Sequence, residues 1–146
     1  MVIEQVSVFL ENSPGHLARL TRTLANASIN MRALMVADTE NFGVVRIICD
    51  TPNVAKEVLE GEGFGVSITR VIAVEIPDRP GGLADVLDVL GDAGVNVEYA
   101  YAFVEPGAEA AVDIFKVDDE RAVRVLASAG ITVIEPERLY EKDALA

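Results

Sequence analysis

Sliding the chain along itself by 66 residues, the separation of Pro14 from Pro80, lays Asn12-Ser13-Pro14-Gly15-His16-Leu17 over Asp78-Arg79-Pro80-Gly81-Gly82-Leu83. The same offset carries Ala18 onto Ala84, Leu24 onto Leu90, Ala27 onto Ala93 and Asn30 onto Asn96. One further residue of offset carries Val45 onto Val112, Leu59 onto Leu126 and Gly63 onto Gly130. Self-similarity at a fixed period constrains the fold more than any local motif, because the chain must then be two copies of one supersecondary unit of about 70 residues. The expected domains are residues 1–70 and 71–146.

Within each copy the hydrophobic period switches in a fixed order. Alternating apolar residues (Val6, Val8, Leu10; then Val74, Ile76) predict a strand that runs into the Pro-Gly turn. Helical spacing follows, with Leu17, Leu20 and Leu24 in one copy and Leu83, Val86, Leu87 and Leu90 in the other; Pro14 and Pro80 suit a first helical turn. Two strands come next, over 31–37 and 42–49, and over 97–104 and 111–117, the second pair joined through Pro106-Gly107. A second helix starts at Thr51-Pro52 or Asp118-Asp119 and stops at Gly63 or Gly130, and strands over 66–70 and 131–134 close the units. The order βαββαβ, read twice, predicts an α+β fold of two ferredoxin-like units, antiparallel sheets with helices on one face. Strict alternation would set Leu34, Val36, Val44 and Ile48 on a face with Arg32 and Arg46, and Met31, Met35, Val45 and Ile47 on the other. Both faces are then largely apolar. One layer of helices cannot cover both, so the second face is expected to pack on another half or another subunit, and a homodimer is expected.

Twelve basic residues against 24 acidic ones give a net charge of −12. Scattered cations in such an excess of acid cannot neutralise a phosphate backbone or an anionic bilayer, so neither nucleic acid nor membrane is an expected partner. No apolar run reaches the ~18 residues of a membrane span, and the expected location is the cytoplasm. One cysteine, Cys49, and one histidine, His16, leave no disulfide and no soft-ligand set for zinc or an iron–sulfur cluster, so no metal or cofactor is expected. The sequence has no nucleophile beside a base and no phosphate-cradling motif, and no enzyme is expected. The copies differ in charge, −2 over residues 1–70 and −10 over 71–146. Basic-to-acidic exchanges at Arg19/Asp85, Arg22/Asp88, Arg32/Glu98 and Arg46/Asp113 suggest surfaces built to meet each other.

The stretch from Val8 to Leu17 with Ile29-Asn30 resembles an ACT domain, the small regulatory module of amino-acid metabolism, and Val74 to Leu83 with Val95-Asn96 resembles a second. The resemblance spans nearly the whole chain. It implies a non-catalytic regulatory or sensor protein that binds a small amino acid at an interface between ACT-like halves or subunits. By that resemblance the ligand contacts are Asn12, Ser13, Pro14, Gly15, His16 and Leu17 with Asn30 and Met31, and Asp78, Arg79, Pro80, Gly81, Gly82 and Leu83 with Asn96 and Val97. Phosphoglycerate dehydrogenase-type members often carry a histidine two residues before the loop asparagine, where Leu10 and Ile76 stand here. The first half also resembles the regulatory subunit of acetohydroxyacid synthase, with Ser28 at a place where that family usually has glycine. Two other readings therefore stay open: a regulatory subunit acting on a metabolic enzyme in trans, and an oligomerisation module without a ligand.

The residue chemistry suits a zwitterion. A tight turn at a helix N-terminus offers backbone donors to a carboxylate, and glycine lets that backbone come close. Asn12 or Asp78 can accept from an ammonium, and Asn30 or Asn96 offers both donors and an acceptor. The competing account is that Asn12 and Asp78 are helix N-caps. His16 reads as a neutral surface or interface residue, Cys49 as a small core residue, and the stripe Tyr99, Tyr101, Phe103 as core or interface.

Overall fold

The computed structural model describes residues 2–38, 42–103 and 109–140. The chain divides into two compact units, an amino-terminal one of Glu4–Thr69 and a carboxy-terminal one that holds the chain from Arg70 onward together with Val2 and Ile3.

In the amino-terminal unit, β1 (Ile3–Glu11), α1 (His16–Asn26), β2 (Met31–Asp38), β3 (Phe42–Cys49), α2 (Pro52–Gly61) and the start of β4 (Gly65–Pro77) follow in chain order. The strands lie in the order β2-β3-β1-β4. β3 runs antiparallel to both β1 and β2, with Val6 opposite Ile47 and Val8 opposite Val45. Alternation then delivers Val6, Val8 and Leu10 of β1 and Val45, Ile47 and Cys49 of β3 to one face, where they pack with Leu20 and Leu24 of α1 and Ala55 and Leu59 of α2. Leu17 begins the predicted helical stripe but is 39% exposed, so the buried stripe is Leu20 and Leu24. A bulge between Met31 and Ala33 shifts the outer strand by one residue, pairing Leu34 with Ile47, Val36 with Val45 and Met35 with Arg46. Leu34 and Val36 therefore share the helix-side face with Val45 and Ile47, the reverse of the strict alternation expected from sequence.

The carboxy-terminal unit repeats the plan with the rest of β4, α3 (Gly82–Asp92), β5 (Tyr99–Phe103), β6 (Ala110–Lys116) and α4 (Ala122–Ser128), its strands ordered β4-β6-β5. Ile72, Val74, Ile76 and Phe115 meet Val86, Leu90, Ala122 and Leu126 in its core. Two expectations are corrected here. The strands expected over 66–70 and at Val74–Ile76 are one unbroken strand, the 13-residue β4. The closing strand over 131–134 is reduced to one bridge, Val74 to Val133, flanked by Glu75 N–H to Thr132 O (2.9 Å) and Ile134 N–H to Ala73 O (2.7 Å). A short helix not expected from sequence, α5 (Pro136–Tyr140), follows; its Leu139 is fully buried and its Arg138 reaches Glu75. The Pro106-Gly107 turn lies outside the described residues.

Register also corrects the repeat alignment. Val8 pairs with Val45, and its repeat-mate Val74 pairs with Asp113. Val36 pairs with Val45, and Ala102 pairs with Asp113. The structural counterpart of Val45 is thus Asp113, not Val112, and Arg46 corresponds to Ile114.

Candidate functional site

The two Pro-Gly loops close onto their helices in the same way. Gly15 and Gly81 are the residues before the first helical turn, and both adopt the left-handed conformation, φ +84° and +86°. A side chain is disfavoured there, so the glycine is a backbone requirement of the turn. Pro14 and Pro80 precede that glycine and lie outside the first turn, so they stiffen the approach to the helix instead of starting it.

Neither helix has a side-chain cap. Asn12 and Asp78 lie three residues before the capping glycine, and both are exposed. The capping account of these two side chains is therefore removed. The first internal bonds are Arg19 N–H to Gly15 O and Asp85 N–H to Gly81 O, each 2.9 Å, so the amides of Leu17, Ala18, Leu83 and Ala84 open the helices ahead of any intrahelical acceptor. Such amides, at the positive end of a helix, suit a carboxylate.

The loops differ in how firmly they are held. In the second, Asp78 N–H donates to Glu109 O (3.1 Å), and Arg79 donates through Nη2 to Asp85 (2.9 Å) and through Nη1 to Pro80 O (3.2 Å). A Cβ added at Gly82 would sit 2.2 Å from Pro77 O, so this position accepts no side chain. Its repeat-mate is the half-buried His16.

Asn30 and Asn96 are exposed at the far end of the first helix of each unit, beside Met31 and Val97, which pack against the two cores. Each helix is 11 residues long, which at 1.5 Å per residue separates the loop from the strand start by about 16 Å. Within one unit the structure therefore brings Asn12–Leu17 together, and Asp78–Leu83 together, but joins neither group to its asparagine. Leu10 and Ile76, two residues before Asn12 and Asp78, are buried in the cores.

Other candidates resolve into structure. Cys49 is fully buried, and burial pushes its thiol up to about 11, which suits a core residue and not a nucleophile. Tyr99, Tyr101 and Phe103 share a half-buried face of β5. A cavity of about 400 Å³ in the carboxy-terminal unit is lined by Val2, Arg70, Ile72, Asp118, Asp119 and Val123, among others. Two of its three acids are already engaged. Asp118 pairs with Lys116, and Asp119 accepts from Arg121, whose guanidinium and amide hold it down to about 2. Among the described residues no cluster of three His, Cys, Asp or Glu side chains could hold a metal, and no helix is long and apolar enough to cross a membrane.

Sequence reasoning named two residues without finding their place: Ser28, which adopts φ +58°, and Asp113, a carboxylate only 4% exposed on the core face of β6. The repeat alignment, which set Asp113 against Arg46, placed it on a surface.

A family model described as an ACT domain pair matches residues 1–142. Protein BT0572 from Bacteroides thetaiotaomicron is 34% identical, with 97% of each chain covered and a TM-score of 0.91. The ligand-free regulatory subunit of aspartate kinase from Thermus thermophilus is 17% identical over 89% of this chain and 95% of its own, with a TM-score of 0.66. The corresponding subunit from Thermus flavus is 16% identical over the same shares, with a TM-score of 0.64. No curated protein sequence matches.

Proposed function

The chain belongs to the ACT domain pair family, and from that premise we propose that it is a non-catalytic regulatory protein of the cytoplasm that binds a small amino acid at its Pro-Gly loops. One observation carries the reading: both helix N-termini lack a side-chain cap, and among the described residues the exposed side chains of Asn12 and Asp78, three residues before the capping glycines, make no hydrogen bond or ion pair. Backbone amides of the first turn receive the carboxylate, and Asn12 or Asp78 accepts from the ammonium. The roughly 16 Å between loop and strand start argues that Asn30 or Asn96 meets such a ligand only from a second ACT-like unit, whether the other half of the chain or a half of a partner subunit in a homodimer. Occupancy matters to a partner if it stabilises one association state over another.

The experiment is a thermal-unfolding screen against the common amino acids. A ligand at ~100 times its dissociation constant stabilises by about 2.7 kcal/mol, several degrees for a chain of this size. A selective shift that Asn12→Ala or Asp78→Ala removes supports the reading, and no shift with any amino acid rejects it.

A second reading, a regulatory subunit acting on a metabolic enzyme in trans, is favoured by the fold shared with the aspartate kinase regulatory subunits. Co-purification with a large catalytic chain from native extract is its test.

A further inference from the structure

The carboxylate of Asp113 has no hydrogen bond or ion pair among the described residues, although the residue is 4% exposed. It lies on the helix-side face of β6, flanked along the strand by Ala111 and Phe115 and across it by Val74 and Ala102. Its counterpart in the amino-terminal unit is the fully buried Val45. The neighbouring wall has changed with it. The outer strand of the amino-terminal unit covers this face with Leu34 and Val36, 38% and 42% exposed, opposite Ile47 and Val45. The outer strand of the carboxy-terminal unit has exposed Ala100 and Ala102 opposite Phe115 and Asp113. Two large side chains have become methyl groups where a buried valine has become a carboxylate. The carboxylate is thus set among apolar side chains, with only methyl groups beside it on the outer strand.

A buried carboxylate without a partner is costly unless a donor completes it. The unit's net charge of −10 over residues 71–146 repels an anion and attracts a cation. One carboxylate lacks the several oxygens a hard metal ion needs, whereas an ammonium on an alkyl stem matches both the carboxylate and the apolar side chains around it. We propose that the face over Asp113, beside the small and exposed Ala100 and Ala102, is a binding site for the primary alkylammonium group of a small molecule, separate from the Pro-Gly loops.

The test is a titration of isotope-labelled protein with n-butylammonium chloride, with n-butanol and sodium chloride as controls, following the amide resonances of Ala102, Asp113 and Phe115. Saturable shifts with butylammonium alone are expected, weakened roughly tenfold or more by Asp113→Asn. Ala102→Val, which restores the wall of the amino-terminal unit, is expected to weaken them while leaving the carboxylate in place. Asp113→Val, which reproduces Val45, supplies a folded control should the Asn variant fail to fold. Equal shifts with butanol, or shifts retained in Asp113→Asn and Asp113→Val, overturn the proposal. So does a loss of oligomer mass in those variants by light scattering without any butylammonium response, since a second copy then supplies the donor.

Discussion

The guanidinium carbon of Arg19 lies 4.4 Å from the centre of the Phe64 ring, and the same side chain donates through Nη2 to the carbonyl of Glu62, the residue that caps α2. One cation thus stacks on an aromatic face and sits at the negative end of a helix, tying α1 to α2. The repeat-mate Asp85 is turned instead toward Arg79, and Glu98, the mate of Arg32, pairs with Lys116 at 3.2 Å. Asp85 and Glu98 satisfy their charges inside their own unit, as Arg19 does, and Arg46 and Asp113 are not structural counterparts. For Arg19/Asp85 and Arg46/Asp113, therefore, no meeting of surfaces is needed to explain the difference in charge.

Removing this anchor has a defined expectation. Arg19→Ala should cost about 1 kcal/mol in urea unfolding, the sum of a cation–π contact and a charged hydrogen bond on an exposed surface. A double-mutant cycle with Phe64→Leu should show coupling between the two positions; additivity would refute the stacking contribution.

Because neither Asn12 nor Asp78 caps a helix, replacing either by alanine should change the unfolding free energy by no more than ~0.5 kcal/mol, where loss of a true cap costs about 1 kcal/mol. Thermal melts without ligand measure this directly. A larger drop would return both side chains to a structural role and weaken their assignment as ligand contacts.

Ser28 holds φ +58° in the turn after α1, where its repeat-mate Gly94 holds φ +72°. The turn is closed by Ser28 N–H to Ala25 O (3.0 Å) and Ile29 N–H to Leu24 O (3.0 Å), a left-handed helix ending that glycine satisfies without strain. Ser28→Gly should therefore stabilise the chain by about 0.5–1 kcal/mol, strain relief outweighing the added chain entropy. A lowered midpoint in thermal unfolding would contradict this.

Burial raises the carboxyl of Asp113 above its ordinary value. A carboxyl that holds its proton more tightly when folded stabilises the native state below the unfolded value and loses that contribution as pH rises through the folded one. In buffer free of amines, Asp113→Asn should lack this loss, so its stability should gain on that of wild type as pH rises through the folded value. Parallel pH–stability curves for the two proteins would exclude the effect.

The doubled loop, the helices and most strands were legible because each is written in local chemistry: Pro-Gly at a turn, leucines at helical spacing, glycines at Gly63 and Gly130 that do adopt φ +88° and +78°. What failed was register. Val36 and Ala102 are 66 apart, Val45 and Asp113 are 68 apart, so the second hairpin holds two more residues, and an offset lengthened by only one across it misplaces β6 by one. In a strand one residue exchanges the faces, which is how a core carboxylate was read as a surface mate of Arg46. The bulge after Met31 had the same effect on β2, and no residue type there announces it. The loops were recognisable from composition, but their distance from Asn30 and Asn96 follows only once the helix between them is laid out in space.

The tight seat of Gly82 against Pro77 has a consequence for descent. After the duplication that made the two copies, position 16 stayed open to side chains and now carries histidine, while position 82 accepts none. Recognition at the first loop can drift by single substitutions there. The second loop can diversify only at its flanks, so the two copies are unequal raw material for selection.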